Sequence, residues 1–241
     1  MTVQDSRETL VLVPGLLCDE ALWEHQIRHL GRIADIRVAD TLSPDSLDGM
    51  VDGILATAPP QFSLAGLSMG GYIAMELLRQ APERVRRLAL LDTSARPDTP
   101  EQREGRAAML AASHTGEFKG ITRRLLGQFI HPGRMQDTAL AEAIMAMTGR
   151  VGPDNFRRQQ LALLPARAVD RRPALAEIRC PTLVLCGRED VLTTLAMHEE
   201  IAGLIPGARL AVVEECGHLS TMERPHAVTA LLRDWLLYDR P

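Results

Sequence analysis

Gly66-Leu67-Ser68-Met69-Gly70 joins a short apolar run, Phe62–Ala65, to a helical pattern carrying Ile73, Met75, Leu77 and Leu78. A serine between two glycines at a strand-to-helix junction has the form of a nucleophile elbow, whose strained turn lifts the hydroxyl above the sheet edge. The glycines have a steric reason, because a Cβ at either flank is expected to collide with the neighbouring strand or helix. The start of the following helix aims free backbone N–H groups at whatever anion forms beside Ser68. The chemistry this suits is nucleophilic attack by Ser68 on an acyl carbon.

A serine hydroxyl needs a base, and the base needs a carboxylate to orient it. His218 stands out among seven histidines: it lies in Glu214-Glu215-Cys216-Gly217-His218-Leu219, between the apolar run Leu210–Val213 and the last helix. His25, His29 and His198 fall in helical patterns, His114 and His131 in a middle segment, and His226 at the start of the last helix. For the acid, Asp190 follows the apolar run Thr182–Cys186, and the order Ser68…Asp190…His218 is the one an elbow architecture requires. Asp92 is the rival, since it too ends an apolar run; Glu189 is a lesser one, expected to point elsewhere.

An oxyanion formed beside Ser68 needs two preorganised N–H donors. Met69, the residue after the nucleophile, supplies one. The loop after the first apolar run, Pro14-Gly15-Leu16, supplies the other, with Leu16 as the choice and Leu17 in reserve. Cys18 and Cys216 flank these loops in sequence, and all four cysteines read as free thiols, with no metal-like C-x-x-C spacing.

The elements that carry these residues alternate. Thr9–Val13, Ile36–Ala39, Phe62–Ala65, Leu88–Leu91, Thr182–Cys186 and Leu210–Val213 read as strands, with helical patterns at Asp19–Leu30, Ser46–Ala58, after the elbow and in the last third. Continuous apolar strands between helices predict an α/β fold with a parallel sheet covered on both faces. From about 97 to 172 no strand is visible. Thr99-Pro100-Glu101-Gln102 has the form of a capped helix start. Further helices are expected at Phe118–Phe129, Asp137–Thr148 and Asn155–Leu164, broken at Gly149–Pro153. The expected organisation is a core of residues 1–96 and 173–241, with 97–172 inserted as an all-helical lid over the strand ends rather than as an independent domain.

Composition sets the outer bounds. With 241 residues, 46% of them apolar and 24% charged, the chain can bury a large core in one domain. A net charge of -4 argues against nucleic acid or an anionic membrane as partner. No run approaches membrane-spanning length and Met1–Glu8 lacks signal-peptide character, so the expected location is cytoplasmic.

Val11-Leu12-Val13-Pro14-Gly15, Gly66–Gly71, Pro181–Asp190 and Gly217–Pro225 together resemble the α/β-hydrolase superfamily. More narrowly, the chain is similar to small cofactor-free esterases and lactonases, among them pimeloyl-carrier-protein methyl ester esterases and 3-oxoadipate enol-lactonases. The resemblance covers about 10–95 and 174–235 and implies Ser68, Asp190 and His218 as a triad, with Leu16 and Met69 as oxyanion donors. Two features depart from those relatives: Pro14-Gly15 stands where they carry His-Gly, and Met1–Glu8 is too short for their initial hairpin. About six parallel strands are therefore expected, with a short additional strand at Met1–Val3 as an option.

The resulting reading is a carboxylic ester hydrolase that needs no metal or organic cofactor. Lactonase and thioesterase use the same three residues and stay open, as does a small-molecule receptor that keeps the triad with little turnover. The segment from Pro100 to Arg172 holds twelve Lys/Arg against seven Asp/Glu, a net +5 that leaves -9 for the rest of the chain. A basic lid on an acidic body would draw an anionic substrate tail or an acidic carrier protein. The doublets Arg123-Arg124 and Arg157-Arg158 are its expected substrate contacts, because guanidinium groups pair bidentately with carboxylate and phosphate.

Overall fold

The computed structural model describes residues 7–114 and 120–238. Six strands form one sheet in the order β2-β1-β3-β4-β5-β6, with every neighbouring pair parallel. They are β1 (Thr9–Val13), β2 (Asp35–Val38), β3 (Phe62–Leu67), β4 (Val85–Leu91), β5 (Thr182–Gly187) and β6 (Arg209–Val213). The optional strand at Met1–Val3 lies outside the described residues. The helices are α1 (Glu24–Leu30), α2 (Leu47–Thr57), α3 (Met69–Gln80), α4 (Pro100–Ser113), α5 (Thr138–Ala166), α6 (Arg172–Leu175), α7 (Leu195–Leu204), α8 (Ser220–Glu223) and α9 (Pro225–Tyr238).

The period-2 geometry of a strand divides the apolar runs between two cores. Leu10, Leu12, Ala65, Leu67, Ala89, Leu91, Leu183 and Leu185 face α1 and α9, packing with Leu30, Leu232 and Trp235. Val11, Val13, Phe62, Leu64, Leu88, Leu90 and Val184 face the other way, onto Met50, Val51 and Ile54 of α2, Ile73 and Leu77 of α3 and Ile201 of α7. The central strands β1, β3 and β5 are buried along their whole length, whereas the edge strands β2 and β6 are half-buried. That is why the former are uninterrupted apolar runs and the latter tolerate Arg37 and Arg209.

Strand order reverses between β1 and β3: the chain leaves β1 toward one edge, to β2, and crosses back to build β3 through β6 on the other side. The loops after these two neighbouring strands hold Leu16 and Ser68, and a crevice at such a reversal is where open parallel sheets bind ligands.

Between β4 and β5 the described residues form helices, turns and irregular chain, with no strand among them. Thr99 caps α4 with a reciprocal bond to Gln102, as its sequence predicts. The two expected helices 137–148 and 155–164 are continuous in α5 apart from a break at Gly152, at φ 70° ahead of Pro153, within the expected interruption. The helix expected at 118–129 does not form over its described part; residues 120–129 make turns with a short 3-10 segment at Leu126–Gln128. Gly120 adopts φ 64°, and the Ile121 N–H donates to the Thr148 hydroxyl of α5 at 3.1 Å, so docking on a neighbour replaces helical hydrogen bonds.

Candidate active site

The elbow has the strain its sequence implies. Ser68 sits at φ 55°, ψ -111°, between the end of β3 and the first turn of α3. A Cβ on Gly66 would lie 2.2 Å from the Gly70 carbonyl oxygen, and one on Gly70 would lie 2.1 Å from the Val13 carbonyl oxygen. Ser68 N–H donates to Leu91 O of β4 at 3.0 Å, and the Thr93 hydroxyl donates to Ser68 O at 2.8 Å. The turn is thus held from the neighbouring strand end on both sides of its strained residue.

His218 brings the three sequence candidates together. Its Nε2 is 3.0 Å from Ser68 Oγ and its Nδ1 is 2.8 Å from Asp190 Oδ2. Asp190, the first residue after the turn that ends β5, also accepts bonds from Leu192 N–H at 2.8 Å, Thr193 N–H at 2.9 Å and the Thr193 hydroxyl at 2.6 Å. Burial pushes the Asp190 carboxyl up, but the adjacent His218 and the Thr193 bonds outweigh it and hold the group below the usual carboxylate range. Burial acts in the opposite direction on His218, pulling it down, and Asp190 more than reverses that, so the imidazole is raised. A raised imidazole facing a serine hydroxyl is equipped to take its proton.

Asp92 occupies a different place. It is fully buried at the end of β4, at φ 44°. Its Oδ1 accepts from Gly187 N–H at 3.1 Å, and its Oδ2 lies 3.3 Å from Ser220 N and 2.5 Å from the Ser220 hydroxyl. Burial, then the charge of Asp190, raises its pKa from 3.8 to about 8. Asp92 therefore ties the end of β5 to the histidine loop, while Asp190 meets the imidazole. Glu189 points away, accepting Cys216 N–H at 2.9 Å.

The backbone donors also separate. Leu17 N–H is engaged, donating to Gln159 Oε1 at 3.0 Å. Among the described residues neither Leu16 N–H nor Met69 N–H has an acceptor. Cys18 and Cys216 are buried and free, and burial raises both thiols, Cys18 to about 12, so neither is a thiolate near neutral pH.

Four residues outside the sequence candidates complete the surroundings. His198 of α7, fully buried and lowered by burial to about 4, accepts Thr93 N–H through Nε2 at 2.9 Å and so steadies the residue that holds Ser68 O. Glu223 accepts Gly217 N–H at 3.1 Å and His131 N–H at 3.0 Å. Phe129 O takes both His218 N–H (2.9 Å) and Leu219 N–H (3.0 Å). With Asp92, these account for every backbone N–H from Gly217 to Ser220. Sequence carries one weak signal for them, Glu223 five residues after His218; nothing local marks His198, Phe129 or Gln159.

The two arginine doublets between β4 and β5 part company. Arg157 donates to Ser113 O at 2.7 Å and pairs with Asp154; Arg158 donates to Leu42 O at 2.9 Å and bonds Asn155. Arg123 and Arg124 are exposed, with no ion-pair partner among the described residues. No group of His, Cys, Asp or Glu among the described residues has metal-binding geometry. A cleft of about 930 Å³ between α3 and the end of α5 lies away from Ser68, and no histidine is among its lining residues.

Residues 54–225 match the model of the alpha/beta hydrolase fold family. The chain belongs to that family. It is 30% identical over 204 residues to a pimeloyl-[acyl-carrier protein] methyl ester esterase of Neisseria meningitidis, covering 82% of this chain and 78% of the relative. An esterase from Thermogutta terrifontis superposes with a TM-score of 0.88 at 26% identity, covering 98% of this α/β hydrolase and 92% of that chain. The enol-lactonase from Burkholderia xenovorans, at 23% identity and TM-score 0.81 over 97% of this chain and 93% of its own, shares the fold. No helix among the described residues is long and apolar enough to cross a membrane.

Proposed function

We propose that this α/β hydrolase cleaves carboxylic esters of small molecules through an acyl-enzyme on Ser68. The observation that carries the reading is the pair of contacts made by His218, 3.0 Å to Ser68 Oγ and 2.8 Å to Asp190 Oδ2. Ser68 Oγ attacks the acyl carbon as His218 Nε2 takes its proton, while Asp190 fixes the tautomer with Nδ1–H and stabilises the imidazolium. The oxyanion is held by Met69 N–H, at the positive end of α3, and by Leu16 N–H. Collapse expels the alcohol, which takes the proton from His218. Water, deprotonated by His218, then releases the carboxylic acid and restores Ser68.

Residues 97–172 serve as a lid over this site. An ester with a distal carboxylate, or one carried on an acidic carrier protein (the Neisseria relative is named for an ester on an acyl-carrier protein), meets Arg123 and Arg124 there, since Arg157 and Arg158 are committed to internal partners.

A fluorophosphonate is expected to label the protein once, and Ser68→Ala to abolish labelling and hydrolysis while leaving the circular dichroism unchanged. Labelling that survives Ser68→Ala overturns the reading. Esters of graded acyl length assayed beside lactones and acyl thioesters define the preferred bond. A single slow acylation without sustained turnover would identify a receptor instead.

A further inference from the structure

The Gly15–Cys18 turn after β1 is closed by a bond from Cys18 N–H to Gly15 O at 3.2 Å. Within it Leu17 stands at φ 62°, a left-handed position that a residue with a Cβ adopts only when something holds it there. What holds it comes from 142 residues away. Gln159, on the second half of α5, is fully buried, and its carboxamide is used at both ends. Oε1 accepts Leu17 N–H at 3.0 Å and Nε2 donates to Thr41 O, beyond β2, at 3.2 Å. The orientation of the amide is unambiguous, because an N–H faces one end and a carbonyl the other. Next to it, Arg158 donates to Leu42 O at 2.9 Å, so α5 is seated on the same stretch of chain.

We propose that Gln159 is a positioning residue for oxyanion stabilisation: it holds the Leu16–Leu17 turn in the conformation that leaves Leu16 N–H free for the reacting oxygen. The inference rests on the assignment of Leu16 as an oxyanion donor. Its physical basis is a division of labour between two adjacent N–H groups. Leu17 N–H is occupied by a fixed acceptor, which sets the peptide plane, and Leu16 N–H is left without an acceptor among the described residues. A preorganised donor stabilises developing charge because no reorganisation is needed at the moment of reaction. Since Gln159 belongs to the helical insertion, the oxyanion turn is complete only while that insertion is seated on the core.

Gln159→Met keeps the length of the side chain and removes both polar ends. It is expected to lower kcat about 10- to 100-fold, a part of what loss of a whole oxyanion donor costs, with KM within about threefold of wild type. Affinity for a trifluoromethyl ketone, which mimics the tetrahedral oxyanion, should fall by the same factor, and the midpoint of the acid limb of the pH profile, set by His218, should not move. A folded Gln159→Met protein with wild-type kcat, or one whose loss lies in KM, overturns the proposal.

If that variant fails to fold, Gln159→Glu decides. A neutral carboxylic acid accepts Leu17 N–H and donates to Thr41 O as the amide does; the carboxylate does not donate and sets a negative charge beside the oxyanion. The ratio of its kcat to that of wild type is expected to fall as pH rises from 5 to 9, and a constant ratio overturns the proposal. Activity surviving in Ser68→Ala would instead remove the triad itself, whereas unchanged kcat with intact Ser68 labelling in Gln159→Met removes only the role of Gln159.

Discussion

The strand ends and the helical insertion both carry many polar side chains and use them in opposite ways. At the ends of β3, β4 and β5, polar groups converge: Thr93 holds Ser68 O, His198 holds Thr93 N–H, Asp92 holds Gly187 and Ser220, and Asp190 holds His218. In the insertion they mostly bind the insertion to itself or seat it on the core. Arg106 and Arg167 converge on buried Asp98, Arg150 reaches Asp19, and Arg172 joins Asp170 to Glu200. The lesson concerns charge. A net +5 counted along the insertion is not a +5 field at its surface, because Asp98, Asp19 and Glu200, all outside that count, sit against Arg106 and Arg167, Arg150 and Arg172 at hydrogen-bond distance.

The sharpest test of the strand-end region compares its two aspartates. Asp190→Asn is expected to lower kcat on the order of 10⁴-fold, because an amide beside Nδ1 favours the wrong imidazole tautomer. Asp92→Asn should cost less than about 10-fold near pH 7, since a carboxyl raised to about 8 is mostly neutral there and the amide imitates it. A larger loss from Asp92→Asn than from Asp190→Asn reverses the two roles.

Asp92 also has a stability signature. Between its unfolded value of 3.8 and about 8, the folded protein holds a proton on this group that the unfolded chain releases. The Asp92 contribution to stability therefore declines as pH rises through that window. Chemical denaturation from pH 5 to 8 should accordingly show wild type losing more stability than Asp92→Asn. Parallel curves would mean that Asp92 is ionised in the folded state.

Smaller effects are expected from the insertion, and of a different kind. Arg157→Ala with Arg158→Ala removes the bonds to Ser113 O and Leu42 O and should cost about 1 to 3 kcal/mol, read as a fall in Tm of several degrees. The preference for esters with a distal carboxylate over neutral esters of equal length should not change. Arg123→Ala with Arg124→Ala should do the reverse, leaving Tm unchanged and lowering kcat/KM a few-fold for the anionic ester alone, an effect that added salt imitates. Equal effects of the two pairs on substrate preference would erase the distinction between structural and presented charge.

The sequence alone determined the features whose cause is local. Alternation of side chains across a strand marked the buried runs, and β1 spans the residues read as a strand, Thr9–Val13. Steric exclusion at Gly66 and Gly70 marked the elbow, capping chemistry marked Thr99 and Gln102, and a glycine before proline marked the break at Gly152. Chain order was enough to place Ser68, Asp190 and His218 after apolar runs whose ends must point toward the same sheet edge, and it left Asp92 open beside Asp190.

Tertiary structure decided whatever depends on a neighbour distant in sequence. Asp92 and Asp190 end adjacent strands and look alike in sequence; only the packing of Ser220 and Gly187 on one, and of His218 on the other, separates them. Leu16 and Leu17 are the same residue type side by side, and a carboxamide 142 residues away occupies the N–H of one. The segment 120–129 exchanged helical bonds for docking against Thr148. Arg157 and Arg123 likewise became different groups when Ser113 O, 44 residues away, came within reach of one and no described acid within reach of the other. Hydrogen bonds and desolvation act over a few ångströms, and the fold alone determines which groups come that close.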